Sequence, residues 1–279
     1  MDRIQKALDK AKGKQQPVSN ALNDVKRKAA AVATKKQALN ITQDIAGITY
    51  TQTKVVEVSE QGLADQQVIA SQYSDAQSGV FRMLRTQVLQ KMREKSFRTL
   101  AITSPTAGEG KSVISSNLAV AMAMESNQTV LLVDLDLRNP TLGNYFSLDV
   151  KAGLKDYLEG DIELSDVLIN PGINGLVILP GKGRAENSAE LLSSKKMSHL
   201  VSDLKAKYNS RMIILDTPPI LQTDDVLLAS KYIDSTLLVL EDGKNKESEI
   251  VKSLQLLEGT HLIGTVLNKS EKPPIHQSY

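Results

Sequence analysis

The chain of 279 residues is long enough to bury a large core, and its charges nearly balance at +2. It contains no cysteine, which excludes a disulfide framework and a thiolate metal site. No apolar run approaches the roughly 18 residues of a membrane span, and the charges within residues 1–14 exclude a secretory signal. We therefore expect a soluble protein that stays inside the cell.

The first predicted element is an amphipathic helix over residues 1–12. Its apolar face consists of Ile4, Ala7, Leu8 and Ala11. A partner protein, an anionic membrane surface or the body of this protein would each cover that face, and a loosely docked tail is the alternative. Residues 13–74 are polar, so we interpret residues 1–75 as this helix followed by a flexible, basic linker. The net charge of residues 1–45 is +6, but no aromatic residues are interleaved, and we do not expect a nucleic-acid partner.

Regular alternation of helices and strands begins at residue 76. A helix is predicted at 77–94, where apolar residues recur every four positions. Strands are predicted at 99–103, 129–133, 176–179, 212–215, 235–240 and 261–267. Further helices are predicted at 112–124, 154–158, 189–207, 224–231 and 246–258. The strands are apolar throughout, which is typical of a parallel sheet with helices on both faces. The predicted fold class is α/β, a doubly wound, mostly parallel sheet whose ligand lies beyond the carboxyl ends of its strands.

The loop after the first of these strands has the pattern of a phosphate-binding loop, Ser-Pro-Thr-Ala-Gly-Glu-Gly-Lys-Ser at 104–112. Gly108 and Gly110 would let backbone N–H groups approach phosphates, and Lys111 would reach the β- and γ-phosphate oxygens. The full motif has a glycine where this chain has Pro105, and an ordinary strand–turn–helix corner is the alternative. The residues expected to contact a nucleotide are Thr106, Ala107, Gly108, Glu109, Gly110, Lys111, Ser112 and Val113.

Acidic residues follow two of the apolar strands, at the edge of the sheet where the phosphate loop should lie. Asp134 and Asp136 follow the second strand, and Asp216 follows the strand at 212–215. Asp216 and the Ser112 hydroxyl are expected to hold Mg²⁺, directly or through water. We interpret Asp134 as the closer acid of its pair, where it either orients the attacking hydroxyl or completes the metal shell. A helix N-cap or a solvated loop is the alternative for any one acid. Together the three acids and the loop lysine favour a catalytic site for nucleotide hydrolysis or phosphoryl transfer.

Three motifs together resemble the bacterial tyrosine kinases, in particular the tyrosine autokinases of exopolysaccharide synthesis and chain-length control. They are residues 104–112, Val-Leu-Leu-Val-Asp-Leu-Asp-Leu-Arg-Asn-Pro-Thr at 130–141 and Ile-Ile-Leu-Asp-Thr-Pro-Pro at 213–219. The family is related to the deviant phosphate-loop ATPases that partition chromosomes and place the division site. The resemblance implies a P-loop ATPase or kinase domain over residues 76–270, in which Asn268 reads the adenine. It also implies a homo-oligomer that forms through Arg82 and Arg85, although Gly79 stands where the family's oligomerisation helix usually has a glutamate.

The resemblance implies a protein-tyrosine kinase that transfers the γ-phosphoryl group of ATP, bound with Mg²⁺, to a tyrosine of a neighbouring subunit. The acceptor candidate is Tyr279, the single tyrosine of a mobile tail over residues 271–279. The implied partners are a transmembrane chain-length regulator, or polysaccharide co-polymerase, on the inner face of the membrane and a phosphotyrosine phosphatase. The implied location is cytoplasmic and peripheral to the inner membrane. Tyrosines within the domain, Tyr145 among them, are expected to be packing residues.

Two other functions stay open on the sequence. One is an ATPase without kinase activity that switches the polysaccharide machinery, which the single tail tyrosine favours because the family has a cluster there. The other is a partitioning-type ATPase. Thr106 opposes this second alternative, since partitioning ATPases have at that position a lysine that reaches across a nucleotide-sandwich dimer.

Overall fold

The computed structural model describes residues 53–72, 77–126, 128–207 and 211–271. The helix predicted at 1–12 and the acceptor candidate Tyr279 lie outside these residues. The strands are β1 (Lys54–Val55), β2 (Thr99–Thr103), β3 (Thr129–Asp134), β4 (Ile169–Asn170), β5 (Leu176–Leu179), β6 (Arg211–Asp216), β7 (Ser235–Glu241) and β8 (Leu262–Asn268). The six predicted strands are therefore confirmed, each with ends that differ by at most one residue.

Within the described ranges the strands form one eight-stranded sheet in the order β1-β4-β5-β3-β6-β2-β7-β8. β4 runs antiparallel to β5, and the other neighbouring pairs are parallel. β2, β3 and β6 lie side by side in the middle of the sheet and are buried along their whole length. Their carboxyl ends meet at one edge, as the doubly wound fold class predicts.

The helices are α1 (Glu60–Asp65), α2 (Ser78–Glu94), α3 (Lys111–Ala123), α4 (Leu142–Tyr145), α5 (Leu154–Glu159), α6 (Leu164–Val167), α7 (Ser188–Ser193), α8 (Lys195–Lys207), α9 (Asp225–Ala229) and α10 (Glu247–Leu256). α2 and α3 cover one face of the sheet, and α7 and α8 cover the other. Each face buries its own apolar cluster, which explains why the central strands are apolar on both sides. Across the described part of the chain, no helix combines the length and the apolar character needed to cross a membrane.

The helix predicted at 189–207 is in fact two helices, α7 and α8, which are separated at Ser194. Ser194 has an extended backbone, with ψ of 154°, and its Oγ accepts a hydrogen bond from the backbone N–H of Met197 at 3.1 Å. It is thus the N-cap of α8, a role for which serine is well suited. The apolar pattern is continuous across the break, so periodicity alone did not reveal it.

The prediction of a linker up to residue 74 needs a correction, because residues 53–72 contain β1 and α1 and contribute to the core. Leu63, Val68 and Ala70 of this segment are buried. The Asn117 side chain on α3 accepts hydrogen bonds from the N–H groups of Ile69 and Ala70 at 2.8 and 3.0 Å. The packed part of the chain therefore extends beyond the predicted boundary at residue 76. The apolar residues of the segment 53–72 are few and widely spaced, so they form no helical or strand period from which the sequence could have predicted it.

Candidate nucleotide-binding site

The phosphate loop, residues 104–110, joins β2 to α3 at the carboxyl edge of the sheet. Gly108 and Gly110 both have a φ of +91°, in the left-handed region that favours glycine. A Cβ atom at Gly110 would collide with Nδ2 of Asn268, so a side chain at this position would displace that amide. The first turn of α3 begins directly after this glycine, and its unpaired N–H groups and the helix dipole favour an anion in front of the loop.

A pocket of about 430 Å³ lies in front of the phosphate loop. The predicted nucleotide-contacting residues that line it are Ala107, Gly108, Gly110, Lys111 and Ser112. Thr106, Glu109 and Val113 are not part of its lining. The Glu109 carboxylate is instead buried behind the loop, where Oε1 accepts hydrogen bonds from Thr106 N at 3.1 Å and from Asn245 Nδ2 at 2.9 Å. Burial raises the pKa of Glu109, but hydrogen bonds from the Thr106 hydroxyl and from Asn245 outweigh burial and hold the pKa below its ordinary value. Glu109 therefore shapes the loop from inside.

Lys111 meets Asp136 rather than Asp134 of the predicted acidic pair. Its Nζ lies 3.1 Å from Oδ2 of Asp136 and 3.4 Å from Oγ of Ser112. The lysine side chain is 13% exposed and the aspartate side chain 5%. Burial alone would lower the pKa of Lys111, but the carboxylates of Asp216 and Asp136 raise it above its ordinary value. The expectation that Asp134 is the closer acid is corrected, because the chain turns directly after β3 and this turn brings Asp136 into the pocket lining.

Asp134 is fully buried at the end of β3, and its carboxylate organises the turn that follows. Oδ2 accepts hydrogen bonds from the backbone N–H groups of Thr141 and Leu142, both at 3.0 Å, and Oδ1 accepts one from Asp136 N at 3.2 Å. Burial, with the neighbouring Asp216 carboxylate, raises the pKa of Asp134 to about 8. Asp134 therefore positions the segment that carries Asp136 and the start of α4.

Asp216 lies beside Asp134 in the register of β3 and β6, and it is also fully buried. Its Oδ1 accepts a hydrogen bond from Ser115 Oγ at 2.9 Å, while Oδ2 has no hydrogen-bond partner among the described residues. Burial raises the pKa of Asp216, and the attraction of Lys111 opposes that shift without cancelling it. An unpartnered buried carboxylate oxygen near the Ser112 hydroxyl has the chemistry of a hard-cation ligand.

Three acidic side chains therefore lie around one lysine at this edge, and a divalent cation bound there would favour their ionised forms. Considering only residues that the structure describes, no group of three or more His, Cys, Asp or Glu side chains forms a ready-made metal cage.

Arg138 and Tyr145 are among the pocket-lining residues to which the sequence alone assigned no role in the site. Arg138 Nε donates to Ser188 Oγ at 2.9 Å and lies 3.3 Å from Oδ2 of the buried Asp225. Tyr145 packs against the core cluster, as expected of a packing residue, and it also borders the pocket from the end of α4. Burial and, to a smaller extent, the Asp216 carboxylate raise the pKa of Tyr145. A helix of four residues shows no apolar period, so the sequence carried no signal for this placement.

The predicted adenine residue lies against the phosphate loop, outside the pocket lining, and the predicted oligomer residues lie on α2. Asn268 ends β8, and its Nδ2 donates a hydrogen bond to the carbonyl oxygen of Glu109 at 2.8 Å. Arg82 and Arg85 are on α2, outside the pocket lining. Arg82 Nη1 donates to Ser78 Oγ at 2.7 Å, and Arg85 Nη1 donates to the carbonyl oxygen of Ala121 at 3.3 Å. Both arginines thus bind groups of their own chain.

Comparison with known proteins gives consistent matches. A family model described as an AAA domain matches residues 97–242. The chain is 33% identical over 201 residues to the tyrosine-protein kinase YwqD of Bacillus subtilis, covering 71% of this chain and 83% of that protein. It is 31% identical over 192 residues to the tyrosine-protein kinase CpsD of Streptococcus agalactiae, covering 68% and 81%. Its fold is similar to the kinase domain of the Escherichia coli tyrosine kinase ETK, with a TM-score of 0.66, 28% identity, and coverage of 81% of this chain and 93% of that domain.

Proposed function

The chain belongs to the bacterial tyrosine-protein kinases, and from this premise we propose that it is an ATP-dependent autokinase that regulates exopolysaccharide synthesis. It would transfer the γ-phosphoryl group of ATP to a tyrosine of a neighbouring subunit, with Tyr279 as the acceptor candidate. The observation that carries the proposal is the buried Lys111–Asp136 pair, which lines the pocket in front of the phosphate loop. A lysine and a carboxylate in one anion-binding pocket are the groups that phosphoryl transfer to a hydroxyl needs.

The hydrogen bond of Asn268 supports ATP as the nucleotide. Because Nδ2 of Asn268 donates to the Glu109 carbonyl, its Oδ1 is the atom left to accept a hydrogen bond from a base. Adenine offers an amino donor at the edge where guanine offers a carbonyl acceptor. We therefore assign adenine recognition to Asn268 and expect GTP to be a poor substrate.

Mg²⁺ fits the acidic side of the pocket, with Ser112 Oγ and Asp216 as its proposed protein ligands. When bound, the ion would neutralise charge on the β- and γ-phosphate oxygens. Lys111 would turn from Asp136 to the phosphates and compensate part of the same charge. Asp136, which lines the pocket, would then orient the acceptor hydroxyl. We assign Asp134 to holding the segment after β3, since backbone N–H groups already occupy both of its oxygens.

Resemblance to the family supports the wider setting of the proposal. A transmembrane chain-length regulator at the inner face of the membrane would be the activating partner, with residues 1–12 as the candidate docking segment. A phosphotyrosine phosphatase would reverse the modification. Contacts of α2 through Arg82 and Arg85 would build the homo-oligomer in which one subunit presents its tail to the next.

The proposal is tested by incubating the purified full chain with ATP and Mg²⁺ and mapping phosphotyrosine by mass spectrometry. Wild-type protein should be phosphorylated at Tyr279, Tyr279→Phe should lose that signal, and EDTA should abolish it. Lys111→Met should lower the rate by at least about 100-fold, the typical effect of removing one charge-stabilising donor. Lys205→Met, which removes a lysine that is paired with Asp234 away from the pocket, is the matched control and should keep the wild-type rate.

The switch ATPase without kinase activity is the second candidate. The observation that favours it is Gly79, at the position where the family's oligomerisation helix usually has a glutamate, because transfer between subunits needs the oligomer. The switch ATPase predicts ATP hydrolysis without phosphotyrosine, both alone and after addition of the cytoplasmic segments of a chain-length regulator. That outcome would reject the autokinase. Salt-sensitive binding to nonspecific DNA would instead favour a partitioning-type ATPase.

A further inference from the structure

Three consecutive carbonyl oxygens of the phosphate loop accept hydrogen bonds from side chains at the ends of β7 and β8. Lys244 Nζ donates to the carbonyl oxygen of Ala107 at 2.7 Å. Lys269 Nζ donates to that of Gly108, also at 2.7 Å. The third carbonyl is the one that Asn268 binds. Both lysines come from segments far away in the sequence, so the sheet order alone brings them to the loop.

Glu241, the last residue of β7, holds the two lysines together. Its Oε2 lies 3.2 Å from Lys244 Nζ and 3.1 Å from Lys269 Nζ. The hydrogen bond from Lys269 and the contact with Lys244 hold the pKa of the Glu241 carboxyl below its ordinary value. Lys269 has a φ of +57°, which residues other than glycine seldom adopt. We call Glu241, Lys244 and Lys269 the loop brace.

Peptide geometry connects the loop brace to the phosphate site. A peptide unit is planar and trans, so its N–H points opposite to its C=O. Bonds that hold the carbonyl oxygens of Ala107 and Gly108 therefore also set the directions of the N–H groups of Gly108 and Glu109. Such loop N–H groups are the donors that bind phosphate in a glycine-rich loop. Ala107 and Gly108 line the pocket, so the brace holds peptide units that form part of the pocket wall.

We infer that Lys244 and Lys269, joined through Glu241, are positioning residues that orient the phosphate-loop N–H groups for the β-phosphate of the nucleotide. The inference rests on the proposed function, because it assumes that the pocket binds ATP and ADP. The two lysine side chains are 39% and 50% exposed, and ion pairs at such sites contribute little to folding. Their contribution to nucleotide affinity is therefore separable from stability.

The test compares ADP affinity, measured by calorimetry with Mg²⁺ on the full chain, between wild type and the double variant Lys244→Met/Lys269→Met. Losing two charged donors to the loop should raise the Kd for ADP about tenfold. The KM for ATP should rise by a similar factor, with kcat less affected. The melting temperature without nucleotide should stay within about 2 °C of wild type, because the deleted pairs are exposed. If the double variant does not fold, the two single variants are measured instead, and each should lose less ADP affinity than is expected of the double variant.

Two further variants make the result decisive. Lys244→Arg/Lys269→Arg keeps both donors and should restore ADP affinity to within about threefold of wild type. Lys205→Met removes the ion pair between Lys205 and Asp234, whose side chains are exposed to a similar degree. Asp234 lies just before β7, at the opposite edge of the sheet. Unchanged ADP affinity in the methionine variants, or a loss that the arginines do not restore, would overturn the inference. ADP binding needs no phosphoryl transfer. A wild-type chain that binds ADP but makes no phosphotyrosine, even after the regulator segments are added, would therefore reject the kinase proposal and leave this inference standing.

Discussion

Lys111 Nζ lies 3.1 Å from Asp136 Oδ2, so the lysine of the phosphate loop is paired with the acid two residues beyond the end of β3. Asp134, the last residue of β3, accepts hydrogen bonds from the backbone of the turn that follows. The pairing holds a buried ammonium next to the site of the phosphates without leaving its charge uncompensated. It also gives the two acids separate roles, which mutation can tell apart.

Asp136→Asn should lower the rate of tyrosine phosphorylation by about 100-fold or more, because an amide cannot take part in proton transfer from the acceptor hydroxyl. ADP binding should change much less, since Asp136 faces the acceptor side of the proposed reaction. Rates at saturating ATP and calorimetric ADP affinities separate the two effects. Equal losses in rate and in ADP affinity would argue that Asp136 acts only through the nucleotide.

Gly110→Ala should strongly weaken nucleotide binding, because the backbone is left-handed there and the new Cβ would collide with Nδ2 of Asn268, which would displace that amide from the Glu109 carbonyl. The matched control is Gly243→Ala, which has a φ of +73° and no described atom within 4 Å of its new Cβ. Both substitutions add backbone strain of about 1 kcal/mol, but only the first adds a collision. For each variant, calorimetry measures the affinity for ADP and thermal melting measures the stability. Similar ADP affinities in the two variants would contradict the collision.

Asn117→Leu should lower the free energy of unfolding by about 3 kcal/mol or more, because it leaves several buried backbone groups unpaired. The lost bonds include those from the N–H groups of Ile69 and Ala70 and the one to the carbonyl oxygen of Gln67. Hydrogen exchange at residues 67–70 should become faster than in the rest of the domain. Gln90→Leu, on the exposed side of α2, is the control and should change the stability by less than about 0.5 kcal/mol. Wild-type stability in Asn117→Leu would show that the segment is held by other contacts.

Asp234 should make stability depend on pH at the acidic end. Burial raises its pKa, but hydrogen bonds from Lys205 and from the backbone N–H groups of Arg98 and Thr99 outweigh this and lower the pKa below its ordinary value. A lowered folded-state pKa stabilises the protein above the unfolded-state value of about 3.9, and that contribution disappears as the pH falls through the folded-state pKa. Asp234→Asn should therefore be less stable than wild type by about 1–3 kcal/mol at pH 7, and the difference should shrink below pH of about 4. Urea unfolding of both proteins at pH 7 and pH 3 measures this difference in stability. A difference that does not depend on pH would contradict the lowered pKa of Asp234.

Much of the fold and part of the site followed from local patterns. The central strands are continuous apolar runs because both of their faces are buried, and this property is visible residue by residue. Gly108, Gly110 and Lys111 form a contiguous motif, and Asp134, Asp136 and Asp216 follow apolar strands whose parallel carboxyl ends must meet at one edge. Burial and chain direction were therefore sufficient to predict which residues converge.

Contacts between distant segments were decided by the tertiary structure alone. Which of Asp134 and Asp136 meets Lys111 depends on how the chain turns after β3, and that turn is held by hydrogen bonds to the start of α4. Lys244 and Lys269 reach loop carbonyls that are 137 and 161 positions away, because β7 and β8 succeed β2 in the sheet order. A local pattern records whether a residue is buried, whereas the direction of a side chain and its distant partner depend on turn geometry and strand order, which no single stretch of sequence contains.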